Sequence, residues 1–443
     1  MKKFILINSP IFWNSTQERE QYLSPLGLGY IATYLEKINV DVEIFDCVKE
    51  RKSVDETVEY INKVLPDYVG INVFTQNLDM VRHIVENINI KCECFIGGQA
   101  VKSLYKEILQ WNVNNKLNII IGEGEFIIPQ IVLGTCIQKP EYQKHAKYIY
   151  TVNKYSPYFP YDISKIFLKR KYLGNEIVLN HYGEREVAII TSRGCVFDCA
   201  FCGGAKSLNK DVTIRIRTKE SVINEIQDIL MTYSDIQSVR ILDDLFLRNS
   251  NSIDMANDIF SHFPQLSWRG MAHVVSLKNA IKKIKELKSG GCKELFIGIE
   301  SGSDSMRKKI NKLGSSEDVV EVAREVLKNG IDLKGYFIYG FPGENKDDFQ
   351  KTFELAKRIK DISINTFGSF RTSVFQFRPY HGTKLYNDII NSSGIIHECE
   401  FNSFISLFEG RSQFNFDFGN YSKESDNILN DYIIKTQELT GEK

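Results

Sequence analysis

The chain has 443 residues, of which 43% are hydrophobic and 25% are charged, and its 56 basic and 56 acidic residues cancel to a formal net charge of zero. These are ordinary globular values that indicate neither a disordered nor a membrane protein, and the balanced charge argues against a nucleic-acid partner held on a basic face. No uninterrupted apolar stretch approaches the roughly 18 residues of a membrane helix, and the first residues lack the apolar core of a signal peptide. We therefore expect a cytoplasmic protein of two domains, in which thiols stay reduced.

Residues 1–137 alternate five times between a short apolar run and a helical pattern. Such alternation predicts an α/β domain with a doubly wound, Rossmann-like parallel sheet, whose ligand lies over the carboxyl ends of the strands. Small or polar loops follow those ends, and each glycine in them, taken alone, is most simply explained as a turn residue. The predicted strands are 4–7, 40–45, 68–73, 94–96 and 118–121.

Residues 138–185 contain several prolines and no helical period, which predicts a linker. Strand and helix alternation resumes at 186 and continues to about 390. Six such units predict a partial (β/α)6 barrel of the TIM type, with its active site at the carboxyl ends of the strands. Residues 391–443 form a small C-terminal extension. The predicted barrel strands are 187–191, 238–242, 266–268, 294–299, 333–339 and 373–378.

Three cysteines, Cys195, Cys199 and Cys202, follow the first predicted barrel strand with spacings of x3 and x2. Iron-sulfur clusters are held by cysteine thiolates, normally four of them, but no fourth cysteine lies nearby in the sequence. A cluster held by three thiolates keeps one iron open for an outside ligand, as catalytic metal sites do. The alternative is a zinc knuckle, for which His181 and His262 are the remaining ligands, and neither has knuckle spacing.

The Cys-x3-Cys-x2-Cys spacing, with Phe201 just before the third cysteine, resembles the signature of the radical S-adenosylmethionine enzymes. The resemblance implies a [4Fe-4S] cluster whose open iron is chelated by the amino and carboxylate groups of S-adenosylmethionine. One electron from the reduced cluster then cleaves the cosubstrate to a 5'-deoxyadenosyl radical. It also implies an electron donor such as flavodoxin or ferredoxin.

Polar residues at the ends of the later barrel strands are candidates for binding S-adenosylmethionine. Acids can accept hydrogen bonds from its ammonium group or ribose, and an arginine can pair with its carboxylate. In the family the end of the second strand binds the amino group, and the end of the fourth contacts the ribose. The sequence does not decide which of the two aspartates binds. The candidates are Asp243, Asp244, Arg269, Glu300 and Ser301.

The loops of the first domain resemble the cobalamin-binding domain found in one large branch of this family. One departure is plain, because the Asp-x-His-x-x-Gly motif that supplies a histidine below the cobalt is absent and His83 falls inside a predicted helix. Cobalamin then either binds without a histidine ligand, which we favour, or has been lost. Near the barrel's end, residues 378–386 resemble the family's Pro-Tyr-Pro-Gly-Thr segment, with His381 replacing the second proline. The candidate cobalamin residues are Thr75, Gly97, Gly98, Gly122, Glu123 and Gly124.

The sequence thus favours a cobalamin-dependent radical S-adenosylmethionine enzyme, and within that family a methyltransferase. As the family implies, one S-adenosylmethionine would methylate cobalamin and a second would give the radical that activates a carbon of a small molecule, lipid precursor or peptide. A non-methylating radical enzyme of the same fold, performing rearrangement, cyclisation or sulfur insertion, is the first alternative. A non-catalytic metal-binding or sensor protein is the second.

Overall fold

The computed structural model describes residues 1–14, 22–174, 176–393 and 419–441. The described residues form two compact units. The first consists of those in Met1–Glu176, Leu208–Thr213 and Pro379–Ser412, and the second of those in Ile177–Ser207, Ile214–Arg378 and Gln413–Lys443.

A seven-stranded sheet with the order β2-β1-β3-β4-β5-β7-β6 forms the centre of the first unit, and only β6 is antiparallel. Successive side chains of β1 alternate between two buried clusters, with Ile5 and Ile7 in one and Phe4 and Leu6 in the other. Both faces of the sheet are therefore covered, which confirms the doubly wound prediction. The strands are β1 Lys3–Asn8, β2 Asp41–Asp46, β3 Tyr68–Asn72, β4 Glu93–Gly97, β5 Lys116–Gly122, β6 Tyr142–Lys144 and β7 Lys147–Val152. The helices are α1 Leu26–Glu36, α2 Cys47–Glu50, α3 Val54–Val64, α4 Leu78–Glu86, α5 Val101–Ile108 and α6 Ile127–Leu133.

Part of the predicted linker belongs to this sheet. β7 pairs in parallel with β5, with Ile149 opposite Ile119, and the short β6 closes the edge as a hairpin. Ile149 and Val152 are buried. The prolines of this stretch come before and after the hairpin, so they limit its length without preventing it.

The second unit has a seven-stranded sheet with the order β16-β15-β14-β13-β12-β9-β8. Six of these strands, all except β8, are parallel to one another. This confirms the predicted partial barrel. The strands are β8 Val178–Leu179, β9 Arg185–Ile189, β12 Ser238–Ile241, β13 Ser267–Ala272, β14 Cys292–Glu300, β15 Asp332–Tyr339 and β16 Phe370–Gln376, and a separate ribbon joins β10 Ser192–Arg193 to β11 Arg215–Ile216. The helices are α7 Lys219–Thr232, α8 Ser250–Ser261, α9 Val274–Asn279, α10 Ile284–Ser289, α11 Asp304–Lys309, α12 Ser316–Lys328 and α13 Lys346–Ile364.

Two further helices lie beyond the barrel strands. α14, Lys384–Ser393, belongs to the first unit, and α15, Asp426–Glu438, belongs to the second. α15 buries Leu429 and Ile433 in the same apolar cluster as the barrel strands. Residues 394–418 of the predicted extension lie outside the described residues.

Side-chain caps fix several helix starts. Thr218 accepts a hydrogen bond from the Ser221 N–H at the start of α7, and Ser315 accepts one from the Asp318 N–H at the start of α12. Among the described helices, none is both long and apolar enough to cross a membrane.

Candidate functional site

The cysteine loop follows β9 and is fixed at its base by one buried acid. Asp243, just beyond β12, accepts hydrogen bonds from the Thr191 N–H at 2.7 Å and from the Thr191 and Ser192 hydroxyls, each at 2.6 Å. The Ser192 hydroxyl also accepts from Arg248 at 2.7 Å. Burial raises the pKa of Asp243, and these donors oppose the rise. Asp243 is thus occupied in holding the loop.

The middle of the loop is tied to the segment after α11. The Ala200 N–H donates to the Ile310 carbonyl at 2.9 Å, and the Asn311 side-chain amide donates to the Asp198 carbonyl at 2.6 Å. The base and the middle of the cysteine loop are therefore both held by hydrogen bonds to neighbouring elements.

The three thiols of the loop form one electrostatic group. Cys199 is buried and Cys195 and Cys202 are half-buried. Burial raises the pKa of all three, that of Cys202 to about 12, and neighbouring thiols raise those of Cys199 and Cys202 further. Converting such thiols to thiolates requires a bound cation. In the described part of the chain, no three His, Cys, Asp or Glu side chains are arranged to hold a single metal ion. All three side chains are thiols, the donors that hold iron-sulfur clusters.

The second aspartate of the pair, Asp244, has a different environment from Asp243. Its carboxylate reaches solvent. Partial loss of water and the neighbouring Asp243 raise its pKa, while the Gly194 N–H lowers it. A Cβ built on Gly204 would lie 3.7 Å from the Cys202 Sγ and 3.8 Å from the Asp244 Oδ2. The carboxylate and the third cysteine therefore border the same space.

The end of β14 holds a buried ion pair. Glu300 has a φ of 65° at a bulge in the pairing of β14 with β15, and its Oε1 lies 3.0 Å from the Lys312 Nζ. Ser301 is fully buried, and its hydroxyl lies 3.2 Å from the Thr352 hydroxyl. The same hydroxyl accepts a hydrogen bond from the Ser303 N–H at 3.2 Å. Ser301 thus shapes the turn after β14, while Glu300 is paired with Lys312.

Arg269 is not at a strand end. β13 runs four residues further than predicted, so Arg269 lies inside the strand and is fully buried. Its guanidinium donates to both oxygens of Glu186, at 2.6 and 2.7 Å, and to Glu294 at 3.0 Å. The side chain is saturated by these two carboxylates, which removes the support for its predicted role as a partner of the cosubstrate carboxylate.

The candidate glycines of the first unit lie at the carboxyl ends of neighbouring strands. Gly98 follows β4 and Gly122 ends β5, with φ values of 116° and 101°. A Cβ on Gly98 would lie 2.5 Å from the Val73 carbonyl oxygen, and one on Gly122 would collide with the Val152 carbonyl. These positions therefore require glycine. Among the residues that the structure describes, a Cβ on Gly97 would meet one atom, at 4.0 Å, so these residues leave space at this end of the sheet.

Thr75 is buried after β3 and contacts a residue far along the sequence. Its Oγ1 lies 3.0 Å from the His381 Nδ1. The segment that resembles the family's Pro-Tyr-Pro-Gly-Thr motif therefore joins the strand ends of the first unit, a link that no sequence spacing predicts. Glu123 and Gly124 follow Gly122 at the same edge, half-buried and buried. His83 lies in α4, as expected, beside Asp55 at 3.5 Å.

A buried polar network at this edge was not predicted. The Ser9 hydroxyl donates to Asn72 and accepts from the Asn77 side chain at 2.6 Å, and the Asn8 amide donates to Asp46 at 2.7 Å. The available signal was an asparagine at the end of each of two apolar strands, Asn8 in β1 and Asn72 in β3. The network fixes the loops that follow β1 and β3.

Comparison with known families assigns both units. The model of the radical SAM superfamily matches residues 189–356, and that of the B12 binding domain matches residues 16–132. Together they reproduce the order expected from the sequence. The chain belongs to the cobalamin-dependent radical S-adenosylmethionine enzymes. Its two domains imply a [4Fe-4S] cluster, S-adenosylmethionine and cobalamin as cofactors.

Two curated relatives of this radical S-adenosylmethionine enzyme align over most of its length. An uncharacterized methyltransferase of Pyrococcus horikoshii is 27% identical over 381 residues, which cover 82% of this chain and 77% of the relative. The cytidylyl-2-hydroxyethylphosphonate methyltransferase of Streptomyces wedmorensis is 23% identical over 440 residues, covering 83% and 78%.

A solved structure shares the fold. The radical S-adenosylmethionine methyltransferase TsrM from Kitasatospora setae, determined with cobalamin and a [4Fe-4S] cluster, superposes with a TM-score of 0.64 and 15% identity. The match covers 89% of this chain and 76% of that protein.

Proposed function

We propose that this enzyme methylates an unactivated carbon of a small molecule, a lipid precursor or a peptide, with S-adenosylmethionine as the methyl source. One observation carries the proposal. The same chain contains an anchored three-cysteine loop beside a solvent-accessible acid and, in its first unit, strand ends with glycines that suit cobalamin binding. Both aligned curated relatives are named as methyltransferases.

In the radical domain we assign the cluster to Cys195, Cys199 and Cys202. Asp244 binds the amino group of S-adenosylmethionine, because its carboxylate borders the space beside Cys202 and Asp243 is committed to the loop. Glu300 accepts from the ribose at the end of β14, with β13 between it and β12 in the sheet. Ser301 acts indirectly, by shaping the turn that carries Glu300.

In the cobalamin domain we assign binding to the loops after β3, β4 and β5. The backbone at these ends can approach a bulky ligand closely because the key positions carry no side chain. The residues assigned are Thr75, Gly97, Gly98, Gly122, Glu123 and Gly124.

When bound, the cluster with S-adenosylmethionine supplies a radical, and cobalamin supplies a methyl-carrying cobalt. The chain's own part is to place donor, cofactors and substrate together and to exclude water. Its reductant is a small electron-transfer protein such as a flavodoxin or ferredoxin.

The proposal is tested by incubating the reduced, cobalamin-loaded enzyme with S-adenosylmethionine that carries a deuterated methyl group. Two reactions are compared, one with complete cell extract as the source of substrate and one with the same extract depleted of small molecules. We expect S-adenosylhomocysteine and 5'-deoxyadenosine to form together with the complete extract, and one product to gain the labelled methyl group. Formation of 5'-deoxyadenosine without S-adenosylhomocysteine would instead identify the non-methylating radical enzyme.

A further inference from the structure

His273 is a buried histidine at the active edge of the barrel that neither the sequence motifs nor the assignments above explain. It directly follows β13 and is 5% exposed. In the order of the sheet, β13 lies between β12, which leads to Asp244, and β14, which leads to Glu300. Because these strands are parallel and in register, His273 leaves the sheet at the same edge as those two acids.

The ring is held in one orientation by two contacts. It stacks on Phe197 of the cysteine loop, with ring centroids 3.7 Å apart and planes 23° apart. Its Nδ1 accepts a hydrogen bond from the Val275 N–H at 3.2 Å, which caps α9. Phe197 stands two residues from both Cys195 and Cys199, so the imidazole lies against the loop that carries the cluster.

The polarity of the ring follows from these contacts. Burial, and then Lys312 and Arg307, lower the pKa of His273 to about 2, so the imidazole is neutral. Since Nδ1 accepts, the single ring proton is on Nε2. Nε2 is buried and has no hydrogen-bond partner among the described residues. A buried donor left unpaired is costly, so such a donor calls for an acceptor from a bound molecule.

The charges around the ring favour an anionic acceptor. Lys312 is balanced by Glu300. Arg307 is buried and donates only to backbone carbonyls, those of Gly314, Ile299, Ser301 and Leu313, at 2.6 to 3.1 Å. One positive charge near His273 therefore lacks a carboxylate partner within the described chain. The sulfonium and ammonium of S-adenosylmethionine would be repelled here, whereas its carboxylate would be attracted.

We propose that His273 donates its Nε2–H to the carboxylate of S-adenosylmethionine and so positions the methionine end of the cosubstrate between Asp244 and Glu300. The inference rests on the proposed function, since it requires S-adenosylmethionine at this edge. His273 is a binding residue for the cosubstrate and takes no part in electron transfer.

The test compares His273→Phe, which keeps the stacking on Phe197 but removes the Nε2 donor together with the Nδ1 acceptor that caps α9, with the wild type after anaerobic cluster assembly. We expect unchanged iron content, and a dissociation constant for S-adenosylmethionine raised at least about tenfold, as for loss of a hydrogen bond to a charged group. The electron paramagnetic resonance spectrum of the reduced cluster should still change with S-adenosylmethionine, but only at higher concentration. His262→Phe, on the exposed C-terminus of α8, is the control and should match the wild type.

Decarboxylated S-adenosylmethionine separates a binding role from a packing role. The wild type should bind this analogue more weakly than S-adenosylmethionine, whereas His273→Phe should bind the two more nearly alike, because the lost donor and the lost acceptor belong to one interaction. His273→Gln, which retains an N–H donor, should recover part of the affinity.

Equal affinities of wild type and His273→Phe for S-adenosylmethionine would overturn the inference, and so would loss of iron from both His273 variants, since the ring would then serve only to hold the loop. These results leave the proposed function standing. A wild-type protein that assembles a cluster but does not bind S-adenosylmethionine would instead refute the proposed function itself.

Discussion

At the scale of single residues, the two adjacent aspartates after β12 have separate tasks. The sequence marks both as candidates, since both stand at a strand end. Successive side chains of an extended chain point in opposite directions, so one of them turns to the base of the cysteine loop and the other to the space beside Cys202. Which does which depends on Thr191 and Ser192, more than 50 residues earlier, and no local pattern reveals it.

Substitution of each aspartate should separate these tasks. Asp243→Asn places an amide donor against donors from Thr191 and Ser192, so we expect roughly 1 to 3 kcal/mol of lost stability and reduced iron content. Asp244→Asn should keep both stability and iron but weaken S-adenosylmethionine binding by about tenfold or more. Thermal unfolding, iron analysis and equilibrium binding measure these effects. Weakened S-adenosylmethionine binding in Asp243→Asn alone would reverse our assignment.

Arg269 illustrates a residue that sequence reasoning misplaced. A charged residue near a predicted strand end resembles a ligand, but Glu186 and Glu294, 83 and 25 residues away, turn it into part of a buried ionic network that also includes Arg371. Such a network forms only once four strands, β9, β13, β14 and β16, are aligned.

Arg269→Gln should therefore destabilise the fold by roughly 3 to 5 kcal/mol, because it leaves buried carboxylates uncompensated. Denaturant unfolding measures the loss. A stable variant with impaired S-adenosylmethionine binding would restore the ligand role that the sequence suggested.

Glu344 gives the stability of the protein a predicted pH dependence. It is fully buried after β15, and burial raises its pKa to about 8, despite hydrogen bonds from the Gly340 and Phe341 N–H groups. The folded state thus keeps a proton that the unfolded state loses near its ordinary pKa of 4.5. The free energy of unfolding should fall as the pH rises from about 4.5 to 8.

Glu344→Gln, which cannot ionise, should lose that dependence. Between pH 6 and 8 we expect the wild type to lose roughly 1 to 3 kcal/mol more than the variant. Denaturant unfolding at the two pH values provides the measurement. Parallel losses in both proteins would mean that the carboxyl is already ionised at pH 6.

At the scale of elements, the strands were predictable and their exact ends were not. Short apolar runs identify buried parallel strands, and this held for the five predicted strands of the first unit and the six of the barrel. β13 extends to Ala272 because Gly270 and Met271 continue its pairing with β14, although glycine in a sequence suggests an end. β7 was missed because its partner, β5, is distant enough in the sequence that composition gave no sign of pairing. β6 was missed with it, since β6 pairs with β7.

We expect α15 to stabilise the barrel through its contact with β15, and this expectation can be tested. The Thr436 hydroxyl lies 2.8 Å from the buried Tyr339 hydroxyl of β15 and also donates to the Tyr432 carbonyl one turn earlier. Thr436→Val should cost roughly 1 to 3 kcal/mol, because it leaves the tyrosine hydroxyl without this partner.

Thr232→Val in α7 is the matched control. Its hydroxyl makes the same one-turn bond, to the Asp228 carbonyl, on an exposed surface, so we expect a change within about 0.5 kcal/mol. Thermal unfolding compares the two variants. Equal effects would show that α15 does not stabilise the barrel through this contact.

At the scale of the whole molecule, the fold class and the order of the domains followed from periodicity, which is a local property of the sequence. Which segments belong to each unit did not follow from it. Residues 208–213 join the first unit, where Asp211 pairs with Lys102, and the segment after Pro379 joins it through His381 and Thr75. These contacts span up to 306 residues. The three cysteines could be found because their chemistry is set by spacing along one loop.

The central claim is that one chain carries an iron-sulfur site and a cobalamin site that are independent of each other. It is tested most directly by iron, sulfide, cobalt and zinc analysis of protein purified anaerobically with cobalamin supplied, as wild type and as Cys199→Ala. We predict about four irons and about one cobalt per wild-type chain, with iron lost and cobalt kept in the variant. Iron without cobalt would contradict the methyltransferase, and zinc without iron would contradict the radical enzyme altogether.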